Sequence, residues 1–74
     1  MIKENRIGSE RVRMGLSQLE LSKILGISNK TLSAWEANPS SCPTDRLVEL
    51  SKHFDCSVDY LLGRTNERVI RRHA

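Results

Sequence analysis

The stretch from Ser17 to Glu36 constrains this chain more than any other. Ser17 stands three residues before Glu20, the spacing of a capping box. In that motif the serine oxygen accepts the Glu20 amide, and the glutamate accepts the Ser17 amide. Leu21 and Leu25 lie four residues apart and share one helix face. Gly26 follows at once, where a glycine takes a left-handed turn without a Cβ penalty. Ile27 is placed to plug the angle between two helices. Ser28 then caps a second helix, in which Leu32 and Trp35 face inward. Ser28, Asn29, Lys30, Ser33 and Ala34 are left on the outer face.

Helix, glycine turn and capped helix with a small polar face is the spacing of a helix-turn-helix. Helix hairpins of this kind are common, and the spacing alone leaves nucleic-acid binding and plain packing both open. The ordered set of residues is more specific. Gly15 to Gln18, Leu25 to Ser28, Thr31 to Ser33 and Trp35-Glu36 are followed by Pro43, Leu47, Leu50 and the run Ser57 to Gly63. Together they resemble the XRE (Cro and cI-like) phage-repressor family, in register over residues 5–65. The resemblance implies an all-α, compact five-helix domain of the lambda-repressor type over residues 1–65. It also implies a sequence-specific double-stranded DNA-binding regulator, a repressor that binds a two-fold symmetric operator as a homodimer. In similar repressors the dimer contact lies near the final helix, which here points to Val58, Leu61, Leu62 or the tail.

On that reading the helix from Asn29 to Trp35 enters the major groove, where each base pair shows a distinct donor and acceptor pattern. Asn29 suits a bidentate bond to adenine. Lys30 reaches guanine or a phosphate, Ser33 offers a hydroxyl, and Ala34 suits a thymine methyl. Ser28 and Thr31 complete the candidate DNA-binding set on that helix. Gln18, at the first turn of the preceding helix, is placed for a phosphate, as in similar repressors. A different class of function also fits: an interaction module of the same fold, such as an antitoxin or anti-repressor. Leu19 and Ile24 motivate it, because they are apolar where the family often carries charge.

Composition narrows the classes further. A chain of 74 residues is one domain, and one this small buries only about 60% of its unfolded surface. Trp35, Phe54 and Tyr60 are its three aromatics and read as core anchors. Cys42 and Cys56 have no metal-ligand pattern around them. No signal peptide or membrane span of roughly 18 apolar residues is visible, so the reading is cytoplasmic, with reduced buried thiols. There is no glycine-rich phosphate loop and no nucleophile–base arrangement, so neither enzyme activity nor a cofactor or metal is expected. Residues 1–63 hold eight basic and eight acidic side chains. The net charge of +3 therefore lies in the tail, with Arg64, Arg68, Arg71 and Arg72 against Glu67.

In chain order, a first helix is expected from about Asn5 to Met14, with Ile7, Arg11 and Met14 inward. An inward arginine needs a partner; the family resemblance supplies Glu36. Ser22 fits a crowded helix crossing, its hydroxyl able to bond the carbonyl four residues back. Asn38 is expected in a left-handed conformation before Pro39, and Ser40 and Ser41 as hydroxyl donors in an uncharged loop. Thr44 is expected to cap a helix from Asp45 to Phe54, with Leu47, Leu50 and Phe54 inward. Ser57 caps a fifth helix, Val58 to Leu62, ended by Gly63. The pattern fades from Arg64, and residues 66–74 read as a basic C-terminal tail that frays.

Overall fold

The computed structural model describes residues 5–68. Five α-helices follow one another: α1 (Arg6–Arg13), α2 (Gln18–Leu25), α3 (Asn29–Ala37), α4 (Thr44–Phe54) and α5 (Val58–Leu61). A 3-10 turn at Pro39–Ser41 joins α3 to α4. The fold is the all-α five-helix bundle expected. No helix among the described residues is long and apolar enough to cross a membrane.

Asn5 starts α1 by accepting the Gly8 amide at 2.8 Å. Gly8 is buried against that cap, and a Cβ there would lie 2.5 Å from the Asn5 amide nitrogen. Ile7 is fully buried, as expected. Met14 is not: the helix ends at Arg13, Met14 falls in the turn, and its side chain is 45% exposed. The inner side of α1 instead includes Arg6 and Glu10, both buried. These are polar groups that a hydrophobic period does not reveal.

The core forms where the apolar stripes of the helices meet. Leu21 and Leu25 of α2, Leu32 and Trp35 of α3, and Leu47, Leu50 and Phe54 of α4 close around Ile7. Leu61 joins them from α5 and is 1% exposed, so it belongs to the core, whereas Val58 and Leu62 are half-buried. Tyr60 is also half-buried, with the Arg6 guanidinium 4.3 Å from its ring centre. Ser22 is buried, and its hydroxyl donates to the Leu19 carbonyl at 2.8 Å, three residues back rather than four.

Two loop expectations are corrected by proline. Asn38 is extended (φ −144°, ψ 91°), not left-handed. Steric conflict with the ring of Pro39 pushes the preceding residue out of the helical region, and Pro39 itself starts the 3-10 turn. Thr44 is the first residue of α4 rather than its cap; Pro43 holds the capping position at φ −58° without a side-chain bond. At the other end of α4, Asp55 adopts the left-handed conformation (φ 54°).

The Phe54 carbonyl accepts Nη2 of Arg13 at 3.1 Å and Nη2 of Arg68 at 2.6 Å. Residues 64–68 are thus packed on α1 and α4 rather than frayed. The expectation of a fraying tail for residues 69–74 falls outside the described residues.

A buried ion pair ties the first and third helices. Arg11 Nε lies 2.7 Å from Glu36 Oε2, with side chains 15% and 4% exposed. Arg11 Nη1 also donates to the Leu16 carbonyl at 2.8 Å. Breaking such a pair from one side costs about 3–5 kcal/mol, because one charge is left buried alone. Thermal melts of Arg11→Met and Glu36→Gln are expected to show losses of that size, and the double variant less than their sum. Additive losses would show that the two groups are uncoupled.

Cys42 and Cys56 are both buried and free. Burial, aided by Asp45 near Cys42 and by Glu10 near Cys56, pushes both thiols up to about 11. Below pH 9, the ordinary thiol value, folded and unfolded chains are both protonated and the thiols' contribution is intact. As pH rises from 9 through 11 the unfolded chain ionises first, and that contribution is lost. The expected outcome is a fall in Tm over this window that is shallower in a Cys42→Ala/Cys56→Ala variant, whatever its Tm at pH 7. Parallel Tm curves would exclude the thiols as its cause.

Candidate nucleic-acid interface

The candidate interface is built by two local caps and one turn. Ser17 Oγ accepts the Glu20 amide at 3.1 Å, and Glu20 Oε1 accepts the Ser17 amide at 2.9 Å. The two bonds start α2 at Gln18, and the Ser17 amide on its carboxylate holds Glu20 below the ordinary range. Gly26 ends α2 at φ 68°. The Ile27 amide then donates back to the Ser22 carbonyl at 3.0 Å, which closes the turn. Ser28 Oγ accepts the Thr31 amide at 3.1 Å and starts α3.

The turn sets which side of α3 faces out. Leu32, Trp35 and Glu36 are buried. Asn29, Lys30, Ser33 and Ala34 are exposed, as is Ser28, and Thr31 is half-buried. Lys30 and Glu36 are the charged residues of α3, and Glu36 is turned inward against Arg11. The outer side of the helix therefore carries one positive charge, no negative charge and only short side chains around it. Short side chains let a helix backbone approach a groove floor closely.

Three of the expected residues are engaged within the protein. The hydroxyls of Ser28 and Thr31 lie 2.8 Å apart. One donates to the other, so the pair keeps one hydroxyl proton for an outside acceptor. Gln18 Nε2 donates to Glu36 Oε1 at 3.0 Å. A carboxylate only accepts, so the amide nitrogen must point inward, and its second N–H remains for another acceptor. In the loop after α3, Ser41 Oγ donates to the Asn38 carbonyl at 2.7 Å, while Ser40 is exposed.

The Gln18 contact was not legible from the spacing. Glu36 gathers Arg11 and Asn5 from the start of the chain as well as Gln18 from α2; Asn5 Nδ2 is 3.4 Å from Oε1. The sequence signal for this was a single acid beside Trp35. Its choice of partners depends on how three helices cross. Among the described residues no group of three or more His, Cys, Asp or Glu is placed to hold a metal ion.

Comparison with known proteins agrees with this geometry. A helix-turn-helix family profile matches residues 7–61. The chain is 36% identical over 72 residues to Repressor protein C2 of Salmonella phage P22, an alignment covering 92% of this chain and 33% of that protein. It is 37% identical over 59 residues to the HTH-type transcriptional regulator ImmR of Bacillus subtilis (strain 168), covering 80% of this chain and 46% of the relative. The uncharacterized HTH-type transcriptional regulator YobD of the same organism is 36% identical over 52 residues, covering 70% and 46%. The chain thus spans between a third and just under half of the length of these relatives. No solved structure gives a significant match. The matched span runs from α1 through α5 and includes both helices of the turn, and the chain belongs to the XRE/Cro-C2-like phage-repressor-type helix-turn-helix family.

Proposed function

We propose that this domain binds double-stranded DNA as part of a transcriptional regulator, that it acts as a repressor, and that α3 reads the major groove. The observation that carries this reading is the outer side of α3. Asn29, Lys30, Ser33 and Ala34 are exposed together on a helix that buries its one acid. The helix-turn-helix fold supports a DNA-binding regulatory function, and the relatives' names are those of a repressor and of transcriptional regulators.

In this mechanism Asn29 donates to and accepts from an adenine edge, and Ala34 packs on a thymine methyl. Lys30 meets guanine or a phosphate, and Ser33 supplies a short hydroxyl. Gln18 and the Ser28–Thr31 hydroxyl pair hold phosphates at the ends of the two helices, which fixes register without reading sequence. The setting is the cytoplasm, where free thiols such as Cys42 and Cys56 stay reduced.

A second reading has one observation in its favour. Leu19 and Ile24 of α2 are 55% and 52% exposed, as an antitoxin or anti-repressor with a protein partner would require. Salt-sensitive retention on duplex DNA separates the two, since the interaction module would be indifferent to DNA. Selection of bound duplexes from a random pool tests the main reading directly. Recovery of a shared site supports it, and an unenriched pool overturns it.

Asn29 and Lys30 are expected to fail differently. Asn29 is neutral, so Asn29→Ala should cost about 1–3 kcal/mol per half-site on the preferred duplex and little on one altered at that base pair. The salt slope should hold. If Lys30 meets a phosphate, Lys30→Ala should weaken all duplexes alike and flatten the salt slope by about one. If it reads guanine, its loss should concentrate at one base pair. Wild-type titrations for both variants would remove α3 as the reading element.

One helix reads only a few base pairs, so specificity calls for two copies on half-sites about 34–36 Å apart. Val58, the first residue of α5, and Leu62, just past its end, are both half-buried and are the residues left to meet a second copy. Sedimentation with a selected duplex should show two chains per site. A single chain on an asymmetric site would contradict the two-fold arrangement.

A further inference from the structure

Residues 64–68 and α1 hold each other by a reciprocal pair of arginines. From α1, Arg6 Nη1 donates to the carbonyls of Tyr60, at 3.1 Å, and Thr65, and its Nη2 donates to Asn66 Oδ1 at 2.9 Å. From the segment, Arg68 returns to Glu10 of α1, with Nη2 at 2.7 Å and Nε at 3.0 Å from Oε1. The Arg68 carbonyl accepts the Ser57 amide at 3.1 Å. These contacts are polar. The side chains of residues 64–68 are Arg, Thr, Asn, Glu and Arg, and none belongs to the apolar core.

The acceptors that Arg68 holds have a second donor already in place. Glu10 also accepts Arg13 Nε at 3.1 Å, and the Phe54 carbonyl also accepts Arg13 Nη2. If Arg68 leaves, neither the buried carboxylate nor the end of α4 is left without a partner. Arg6 likewise keeps the Tyr60 carbonyl and ring. Lifting the segment therefore withdraws no side chain from the apolar core and leaves the buried Glu10 carboxylate paired with Arg13, which spares the opening the cost of a lone buried charge.

We propose that residues 64–68 form a latch that opens and closes on α1 while the five helices stay folded, with Arg13 as the standby partner that makes opening inexpensive. Closed, the latch fixes the Arg68 backbone against Ser57. Open, it frees that backbone and releases the Arg68 guanidinium.

The Ser57 amide reports the latch directly, because its acceptor is the Arg68 carbonyl. Native-state hydrogen exchange on the full chain should show Ser57 exchanging at least tenfold faster than the Leu50 and Phe54 amides inside α4. Arg68→Gln should speed Ser57 at least a further fivefold and leave it at least tenfold faster than Leu50 and Phe54, which can themselves speed up by no more than the factor seen at Ser57. Protection of Ser57 equal to that of Leu50 and Phe54, in the wild type or the variant, would mean that the segment opens only by global unfolding. The standby role of Arg13 has its own test. Arg13→Gln with Arg68→Gln should lower Tm by more than the two single changes together, since Glu10 is then buried alone. An additive Tm would overturn that role.

Discussion

The Glu36 carboxylate is the constraint on which the arrangement of the first three helices depends. It is 4% exposed, so it must be matched by donors. Arg11 supplies Nε and Gln18 supplies its amide, and Asn5 approaches from the cap of α1. A buried ion pair of this kind adds little net stability over apolar packing, but breaking it is costly. Its effect is geometric. Rotating α3 about its axis would pull Glu36 from its donors and Leu32 and Trp35 from the core. The exposed side with Asn29, Lys30, Ser33 and Ala34 is set by the same interactions.

A division of labour between arginine and lysine runs through the domain. Arg6, Arg11, Arg13, Arg46 and Arg68 each donate to a backbone carbonyl, at Tyr60, Leu16, Phe54, Leu25 and Phe54 respectively. Two of these carbonyls, Leu25 and Phe54, are the last residues of α2 and α4, where main-chain acceptors lack helical partners. The planar, multi-donor guanidinium can serve a carbonyl and a carboxylate together, which an ammonium does less well. Lys23, Lys30 and Lys52 are instead exposed. In a domain with a thin core, arginines act as internal fasteners, and the basic composition overstates the charge left for an outside polyanion.

Where the sequence was legible, the signals were short-range. The capping box at Ser17, the left-handed Gly26 and the Ser28 cap act within four residues, and each has the expected geometry. The apolar stripes of α2, α3 and α4 also face inward as their period requires. The misses have a different origin. Residue preference favours a left-handed Asn38 and a capping Thr44, but the adjacent prolines decide both. Met14 followed the helical period past the point where the helix stops. Arg6 and Glu10 offer no apolar signal, and the partners that draw residues 64–68 onto them, Asn66 and Arg68, lie 60 and 58 residues away.

The sequence by itself determined an all-α domain with a capped helix-turn-helix, which apolar stripes bury inward, and the identity of the side chains on its outer face. These follow from bonds and periods that span a few residues and are nearly independent of the rest of the chain. Only the tertiary structure decided how polar groups are shared: that Gln18 turns its nitrogen to Glu36, that Arg13 and Arg68 both serve Glu10 and Phe54, and that residues 64–68 return to α1. Hydrogen-bond donors are interchangeable at the level of composition. Which one reaches a buried acceptor depends on helix crossing and chain return, and those exist only once the core has closed.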